Sequence, residues 1–363
     1  MKLQNEEIRL TWQSDKRKER QNLTLLFGGT ILVFLFCMCF KFDAFRYESK
    51  FVPVDNFKSL LLPHLSDKGS IEYLGAVARL RVTLVSFISG GALALGGAIF
   101  QTAYRNPMAS PNILGATSGV SLGNVLAVSM FSLSALQHIE LRYILCYGIT
   151  FICLIVVFLL GKLAGGKKSK NSSVLEMVMI GSIISQGLGT FTMYLMYNLE
   201  EEERLVYQQL TLGINMQSSF VSMALFFSVM AISIIPVVIM RYRLNSLGFE
   251  SEEAQSLGLY TSATRTVAQF CGVLMVTASM IHCGQIGMIS LVIPYAVRNI
   301  VGADFKKVCV FSFCLGGILM MLCRLVSTLI GVLGEAISVI PIVNIVLMPA
   351  FAIVLAKRNR EVI

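Results

Sequence analysis

Apolar stretches of about 20 residues recur along this chain, and the most constraining of them come as a pair. Residues 82–100 and 113–131 contain no charge, and they flank a polar elbow that runs from Arg105-Asn106-Pro107 to Pro111-Asn112. A membrane-spanning α-helix needs about 20 predominantly apolar residues, so the pair reads as two transmembrane helices joined by a proline-bearing turn. The second stretch carries Gly115, Gly119 and Gly123 at a spacing of four. Each glycine costs a helix about 1 kcal/mol, and repetition on one face implies that another helix backbone packs there closely.

Composition extends this to the whole chain. Of 363 residues only 14% are charged and 55% are hydrophobic, with a mean hydropathy of +0.72. Soluble domains carry roughly 25% charged residues. The net charge is +9, but the basic residues sit in short loops beside apolar spans. They form no stripe with an aromatic platform, so no nucleic-acid partner is expected. The nine cysteines fall mostly inside apolar spans, which fits neither a disulfide framework nor a metal-ligand spacing.

The spans give an all-α polytopic membrane protein with ten transmembrane helices in one domain, 23–356. A polar cytoplasmic tail, 1–22, precedes a first helix over 23–40 that is too long for a signal-peptide core and lacks a small-residue cleavage site behind it. Residues 41–74 read as an external loop, and 357–363 as a cytoplasmic tail. After the opening pair come spans near 143–160, 174–196, 220–240, 265–281, 286–297, 308–329 and 337–355, the eighth (286–297) short and interrupted by Pro294. With a cytoplasmic N-terminus, the loops after even-numbered helices carry Arg105, the cluster at Lys167, Arg241 with Arg243, Arg298 with Lys306 and Lys307, and the basic C-terminus. The external side receives the acidic block 200–203. Ten spans with both termini inside satisfy the positive-inside rule at every loop.

Motifs of chemistry are missing from the sequence. There is no HExxH, GxSxG, paired carboxylate or Cys/His cluster, and His64, His138 and His282 stand alone, which reads as solvated loop histidine. A membrane enzyme is therefore disfavoured. Acids are nearly absent from the spans, which argues against a proton- or sodium-coupled transporter. No GxxxxGK[ST] loop occurs either, so ATP hydrolysis would have to take place on another subunit.

Three local features invite roles. The amphipathic segment 248–258 holds Glu250, Glu253, Ala254 and Leu257 between Gly248 and Gly258 on the cytoplasmic side. It either rests on the membrane or docks into a partner's groove. Its acidity is unsuited to an anionic leaflet, and its flanking glycines permit sharp turns, so docking is favoured over resting on the membrane. Arg79 and Arg81 lie at the external end of the second helix and Arg324 near that of the ninth. They read as interfacial anchors or as salt-bridge partners for the carboxylates of a soluble protein. Arg298 and Asp304 bracket a cytoplasmic turn, and a structural ion pair is expected between them.

At these residues the chain resembles the permease family of ABC importers for iron-siderophores, haem and cobalamin, the FecCD/BtuC-like transmembrane subunits. Gly96-Gly97-Ala98, Gln101 and the run from Arg105-Asn106-Pro107-Met108-Ala109-Ser110-Pro111 to Gly115 are similar to its Q-x3-RNPLAxPxxLG signature. Glu253-Ala254-Gln255-Ser256-Leu257-Gly258 resembles the family's coupling segment, and the block from Gly284 to Arg298 with Gly302-Ala303-Asp304 resembles its AGxIxFVGLxxPHxxR…GxD pattern. The chain departs from that pattern at Ala78-Arg79-Leu80-Arg81 (usually RxPR), Gln285 (usually proline), Tyr295 (histidine), Arg324 (aspartate) and Thr328 (arginine).

The resemblance implies the type II ABC importer fold in the cytoplasmic membrane of a bacterium or archaeon. It implies a second permease subunit (homodimer or paralogous heterodimer), two cytoplasmic ATPase subunits and an extracytoplasmic binding protein. This chain would bind no cofactor, ATP-Mg being used by the ATPase. Arg79, Arg81 and Arg324 are then expected to meet the binding protein, and Gly248, Glu250, Glu253, Ala254, Leu257 and Gly258 to couple to the ATPase. Gln101, Arg105, Asn106, Pro107, Pro111 and Gly115 are expected to form a structural elbow near the inner gate, with Gly287, Pro294 and Tyr295 at the pathway or a helix break. A mostly apolar pathway along the second, fifth and eighth helices is expected. Ferric siderophore is the leading substrate, ahead of haem and cobalamin, and an ion-coupled transporter is the alternative of a different class.

Overall fold

The computed structural model of the protein describes residues 2–43, 48–51, 71–130, 140–164, 172–213, 220–248, 261–331 and 338–361. Helix α1 (Lys2–Met38) leads into a short antiparallel pair, β1 (Phe40–Asp43) and β2 (Glu48–Phe51), with Phe40 opposite Phe51. Helix α2 (Ile71–Tyr104) is followed by a 3-10 turn, Pro111–Leu114, and then by α3 (Ala116–Met130), α4 (Glu140–Ala164) and α5 (Ser172–Tyr197). The chain continues through α6 (Glu201–Leu212), α7 (Phe220–Ile239), the single turn α8 (Arg241–Asn245) and α9 (Thr261–Cys283). It ends with α10 (Met288–Val301), α11 (Phe305–Gly331) and α12 (Val339–Glu361).

The fold is helical, as its hydropathy requires, with differences at the edges of the elements. The expected external loop 41–74 holds the β1–β2 pair, and its last four residues already belong to α2. The 34 residues of α2 make it about 50 Å long, well beyond the hydrocarbon thickness. The expected N-terminal tail is continuous with α1, and α12 runs through the start of the C-terminal tail to Glu361. Among the described residues seven helices are long and apolar enough to cross a membrane, and three more apolar helices, Ala116–Met130, Met288–Val301 and Val339–Val354, are shorter.

The bundle is built around α2, which packs on α9, α10 and α11. Where it crosses α11, Gly90 and Gly316 face each other, and a Cβ on either would overlap the other's backbone. Phe87 and Phe313 lock the same crossing edge to face, 5.7 Å between ring centroids. Leu93, Leu95, Ile99 and Phe100 are fully buried there, with Met275 of α9 and Phe305 of α11. The glycine stripe of the sequence divides into two physical jobs. Gly119 and Gly123 press α3 onto α4, against Thr150 and Cys146, where a Cβ would not fit. Gly115 instead takes φ +87° and ends the 3-10 turn, a left-handed conformation that only glycine adopts without strain.

Burial is uneven. In the most apolar segments of α2 and α9, 78% of residues are buried, against 11% in α5 and 6% in α1. The outward helices are covered by whatever surrounds the chain, lipid or another subunit.

Candidate functional site

One end of the bundle gathers Arg105, just past the end of α2, with Arg241, Arg243, Arg265, Arg298, Lys306 and Lys307 on α8, α9, α10 and α11, the end that the positive-inside rule reads as cytoplasmic. The elbow here is a sequence of backbone-satisfying devices. The Met108 N–H donates to Asn106 Oδ1 at 2.9 Å, and the Ala109 N–H to the Asn106 carbonyl at 3.0 Å. Asparagine is suited to such a turn because its side chain mimics a backbone acceptor. Pro107 stiffens the exit, and Pro111 occupies the first turn of the 3-10 helix, where a missing N–H is tolerated.

Arg105 sits at φ 50°, a left-handed conformation that costs a side-chain-bearing residue about 1–2 kcal/mol. It gains a charge-assisted bond from Nε to the Leu247 carbonyl, 3.0 Å. Leu247 is fully buried and lies in the 3-10 turn Ser246–Gly248, immediately before the segment read as the coupling element. Asn245 secures the same root from the other side. Its Nδ2 donates to Asp304 Oδ1 at 2.9 Å, and its Oδ1 accepts from the Phe305 N–H at 2.6 Å. Of the six expected coupling residues, Gly248 closes this turn, while Glu250, Glu253, Ala254, Leu257 and Gly258 lie outside the described residues.

The expected Arg298–Asp304 ion pair does not form. Arg298 Nη2 turns inward to the Ala98 carbonyl (3.1 Å) and Thr102 Oγ1 (2.6 Å), fastening α10 to α2. Asp304 accepts instead from Asn245 and, at 3.1 Å, from the Lys306 N–H. Gln101 adds a second α2–α10 tie, from Nε2 to the Leu291 carbonyl at 2.9 Å. Pro294 lies within α10, which stays helical through it. Its missing N–H leaves the Ser290 carbonyl without a helical donor, and that carbonyl sits against Gly97, where no Cβ would fit. Tyr295 is buried with its ring 6.0 Å from Phe351 of α12.

At the opposite end the structure brings together two of the three expected docking arginines. Arg79 of α2 and Arg324 of α11 line a cavity of about 320 Å³ beside α1, with Ser86 and Thr328. Arg81 is exposed and outside that cavity, as a residue two positions along a helix must be. Gly287 stands at the non-helical break between α9 and α10. There the Gln285 N–H donates to the Thr211 carbonyl of α6 (3.1 Å), a bond that the family's usual proline could not give, and Gln285 Nε2 donates to Ser121 Oγ (2.6 Å).

Two buried groups at this end were not assigned from sequence. His282 is not a solvated loop residue: it is buried in the last turn of α9, stacked on Tyr143 at 4.9 Å and edge to face with Phe226 at 4.7 Å. Buried Arg142 donates from Nε to Asn124 Oδ1 (3.0 Å) and from Nη2 to the Ile281 carbonyl (2.8 Å), closing the end of α9 onto α3 and α4. Nothing but the position of Arg142 at the mouth of an apolar span hinted at this in the sequence.

Between these ends lies an open cleft of about 740 Å³, walled by the 3-10 turn, α3, α5 and Tyr207 of α6. Of the second, fifth and eighth spans, along which a mostly apolar pathway is expected, only α5, the fifth, borders this cleft; most of its lining residues are serine, threonine, Asn112 and Gln186, while the surface it exposes is still mostly apolar. None of the described side chains that line it is charged. A sequence signal was present: Ser182, Gln186 and Thr190 are spaced by four and share one face of α5.

A model of the FecCD transport family matches residues 25–357. The Fe(3+)-citrate import system permease YfmD of Bacillus subtilis is 24% identical over 96% of this chain and 99% of its own. The molybdate import system permease MolB of Haemophilus influenzae is 28% identical over 78% of this chain and 80% of its own. A solved structure described as an inward-facing metal-chelate type ABC transporter superposes with a TM-score of 0.74 at 22% identity, covering 92% of this chain and 99% of that one.

Proposed function

The chain belongs to the FecCD transport family, and from that premise we propose that this ABC importer permease moves ferric siderophores. Two copies, or this chain with a paralogous permease, would enclose the pathway, with two ATPases below and a binding protein above. Relatives named for ferric enterobactin and ferric dicitrate transport in Escherichia coli, 28% and 27% identical, support iron-chelate cargo.

The observation that carries the mechanism is the bond from Arg105 to the Leu247 carbonyl. It ties the elbow between α2 and α3 to the root of the coupling segment. A push delivered by a closing ATPase on 248–258 then reaches α3, the elbow and the hydroxyl-lined cleft as one rigid displacement, since the root is also fixed to α11 through Asn245 and Asp304. On the external side a loaded binding protein meets exposed Arg81 and the arginine-lined cavity of Arg79 and Arg324. The substrate crosses without chemical change, and the work is supplied by ATP-Mg on the partner.

Vesicles containing the permease, its ATPase and its binding protein test this reading. Uptake of ferric siderophore is expected to require ATP and to exceed that of haem and cobalamin. Equal, ATP-independent movement of all three would overturn it.

A further inference from the structure

The cavity of Arg79 and Arg324 is positive, and no acidic side chain stands among the described residues that line it. Position 324 carries aspartate in the pattern that the chain resembles, so here a cation stands where that pattern puts an acid. Two donors in the cavity are also unused. Ser86 is fully buried and its Oγ has no hydrogen-bond partner, and the buried Arg324 Nε has none either. The neighbouring hydroxyls have their protons committed: Thr83 Oγ1 donates to the Arg79 carbonyl (2.8 Å) and Thr328 Oγ1 to the Arg324 carbonyl (3.0 Å). Buried donors are costly to leave unmade, so the site is suited to an incoming acceptor. The guanidiniums favour an acceptor that is anionic and has several oxygens.

The depth of the cavity says which anion reaches it. Arg79 precedes the charge-free stretch 82–100, and Ser86 lies inside it, about 10 Å further along the helix. The cavity therefore runs from the level of the lipid headgroups into the edge of the hydrocarbon. Val82, Met321 and Leu325 make part of its wall apolar, and Cys37 of α1 lines it as well. Helix α1 is the one with only 6% of its apolar segment buried, so lipid has access along that side. We propose that this cavity binds the phosphate of an outer-leaflet phospholipid. Arg324 and Ser86 donate to its oxygens, Arg79 adds charge at the mouth, and the ester end lies against Val82, Met321 and Leu325. Free phosphate has the same oxygens but nothing to place on the apolar wall. A docking protein's carboxylate arriving from outside meets exposed Arg81 and the rim before it meets buried Ser86. Because α1 packs on α2 and α11, the lipid fastens α1 to the bundle. The inference goes beyond the importer reading and does not depend on which cargo crosses.

The full-length permease, stripped of lipid in detergent, is offered phosphatidylglycerol or, separately, inorganic phosphate. Bound lipid is counted by native mass spectrometry, and thermal stability is followed alongside. Phosphatidylglycerol is expected to be retained at a single tight site and to raise the melting temperature, with inorganic phosphate competing weakly for it. Arg324→Gln is expected to weaken retention about tenfold or more, and Ser86→Ala about fivefold, the scales of a charge-assisted and a neutral hydrogen bond. Both replacements nearly conserve volume, and Ser86→Ala alone decides the matter if Arg324→Gln does not fold. Lipid retention unchanged by these replacements overturns the proposal. Stabilisation by inorganic phosphate with no lipid retained overturns it too. So does a loss of binding-protein association in Arg324→Gln without any change in lipid retention, which gives the cavity to the docking protein and leaves the importer reading intact.

Discussion

Helices α2 and α5 are both long, apolar and glycine-bearing, yet they lead opposite lives. In the apolar core of α2, 78% of residues are buried, and its Gly90 is pressed against α11 so closely that a Cβ would overlap backbone. In α5 the figure is 11%, and Gly187 and Gly189 have nothing within 4 Å of where a Cβ would stand. The lesson is that glycine in a membrane helix has no single meaning. At Gly90 of α2, and at Gly181 of α5 against the Ile113 backbone, it removes volume so that two backbones can meet, whereas Gly187 and Gly189 leave α5 open beside a row of hydroxyls. One helix is scaffold, and the other is a wall awaiting a partner or cargo.

The largest expected effect tests the scaffold side. Gly90→Leu forces a branched side chain into the Gly316 backbone, an overpacking cost of about 3 kcal/mol or more, and the yield of monodisperse permease in detergent should collapse. A well-folded Gly90→Leu protein would break the contrast. Next comes the link between scaffold and motor. Arg105→Ala deletes the charge-assisted bond to the Leu247 carbonyl, worth about 1.5–3 kcal/mol, and ATP-driven uptake should drop roughly tenfold or more while the permease still folds. Arg105→Lys should restore little, since an ammonium cannot reproduce the directed Nε–H donor.

A smaller effect is expected at Glu253, which lies outside the described residues. Glu253→Lys reverses charge in the coupling segment and should weaken co-purification of the ATPase while membrane insertion is preserved; unchanged association would remove Glu253 from that role. The smallest effect sharpens the α5 side. Gly187→Leu fills open space and should change thermal stability of the isolated permease by no more than about 0.5 kcal/mol. A large loss there would mean that α5 is packed as tightly as α2.

What could be read from the amino-acid order follows the same division. The apolar spans were legible because exclusion of charge from hydrocarbon is a strong, local constraint, and the Arg105–Gly115 elbow because asparagine, proline and glycine each occur where one backbone conformation demands them. Side-chain partners were less legible. Arg298 and Asp304 are six positions apart across a turn, which suggested a pair. Opposite sign and short separation do not weigh the inward pull of Ala98 O and Thr102 Oγ1, which keep spare lone pairs beside their own mutual bond, against a solvated carboxylate. His282 looked solitary in sequence because its neighbours, Tyr143 and Phe226, come from distant helices. The character of the cleft was missed for another reason. Serine and threonine inside apolar spans are nearly neutral to hydropathy, so a polar stripe at Ser182, Gln186 and Thr190 disappears in a hydrophobic average.

The claim that α5 walls a solvent-reached cleft while α2 is buried scaffold is tested most directly by thiol labelling of the assembled importer with a membrane-impermeant reagent. Single replacements Gln186→Cys and Leu93→Cys are compared with the unaltered chain, whose nine cysteines are buried or half-buried. The account predicts rapid labelling at position 186, with a rate that changes between the nucleotide-free and ATP-trapped states, and none above background at position 93. Labelling at position 93 in any state, or a position 186 that stays unreactive in all of them, would contradict it.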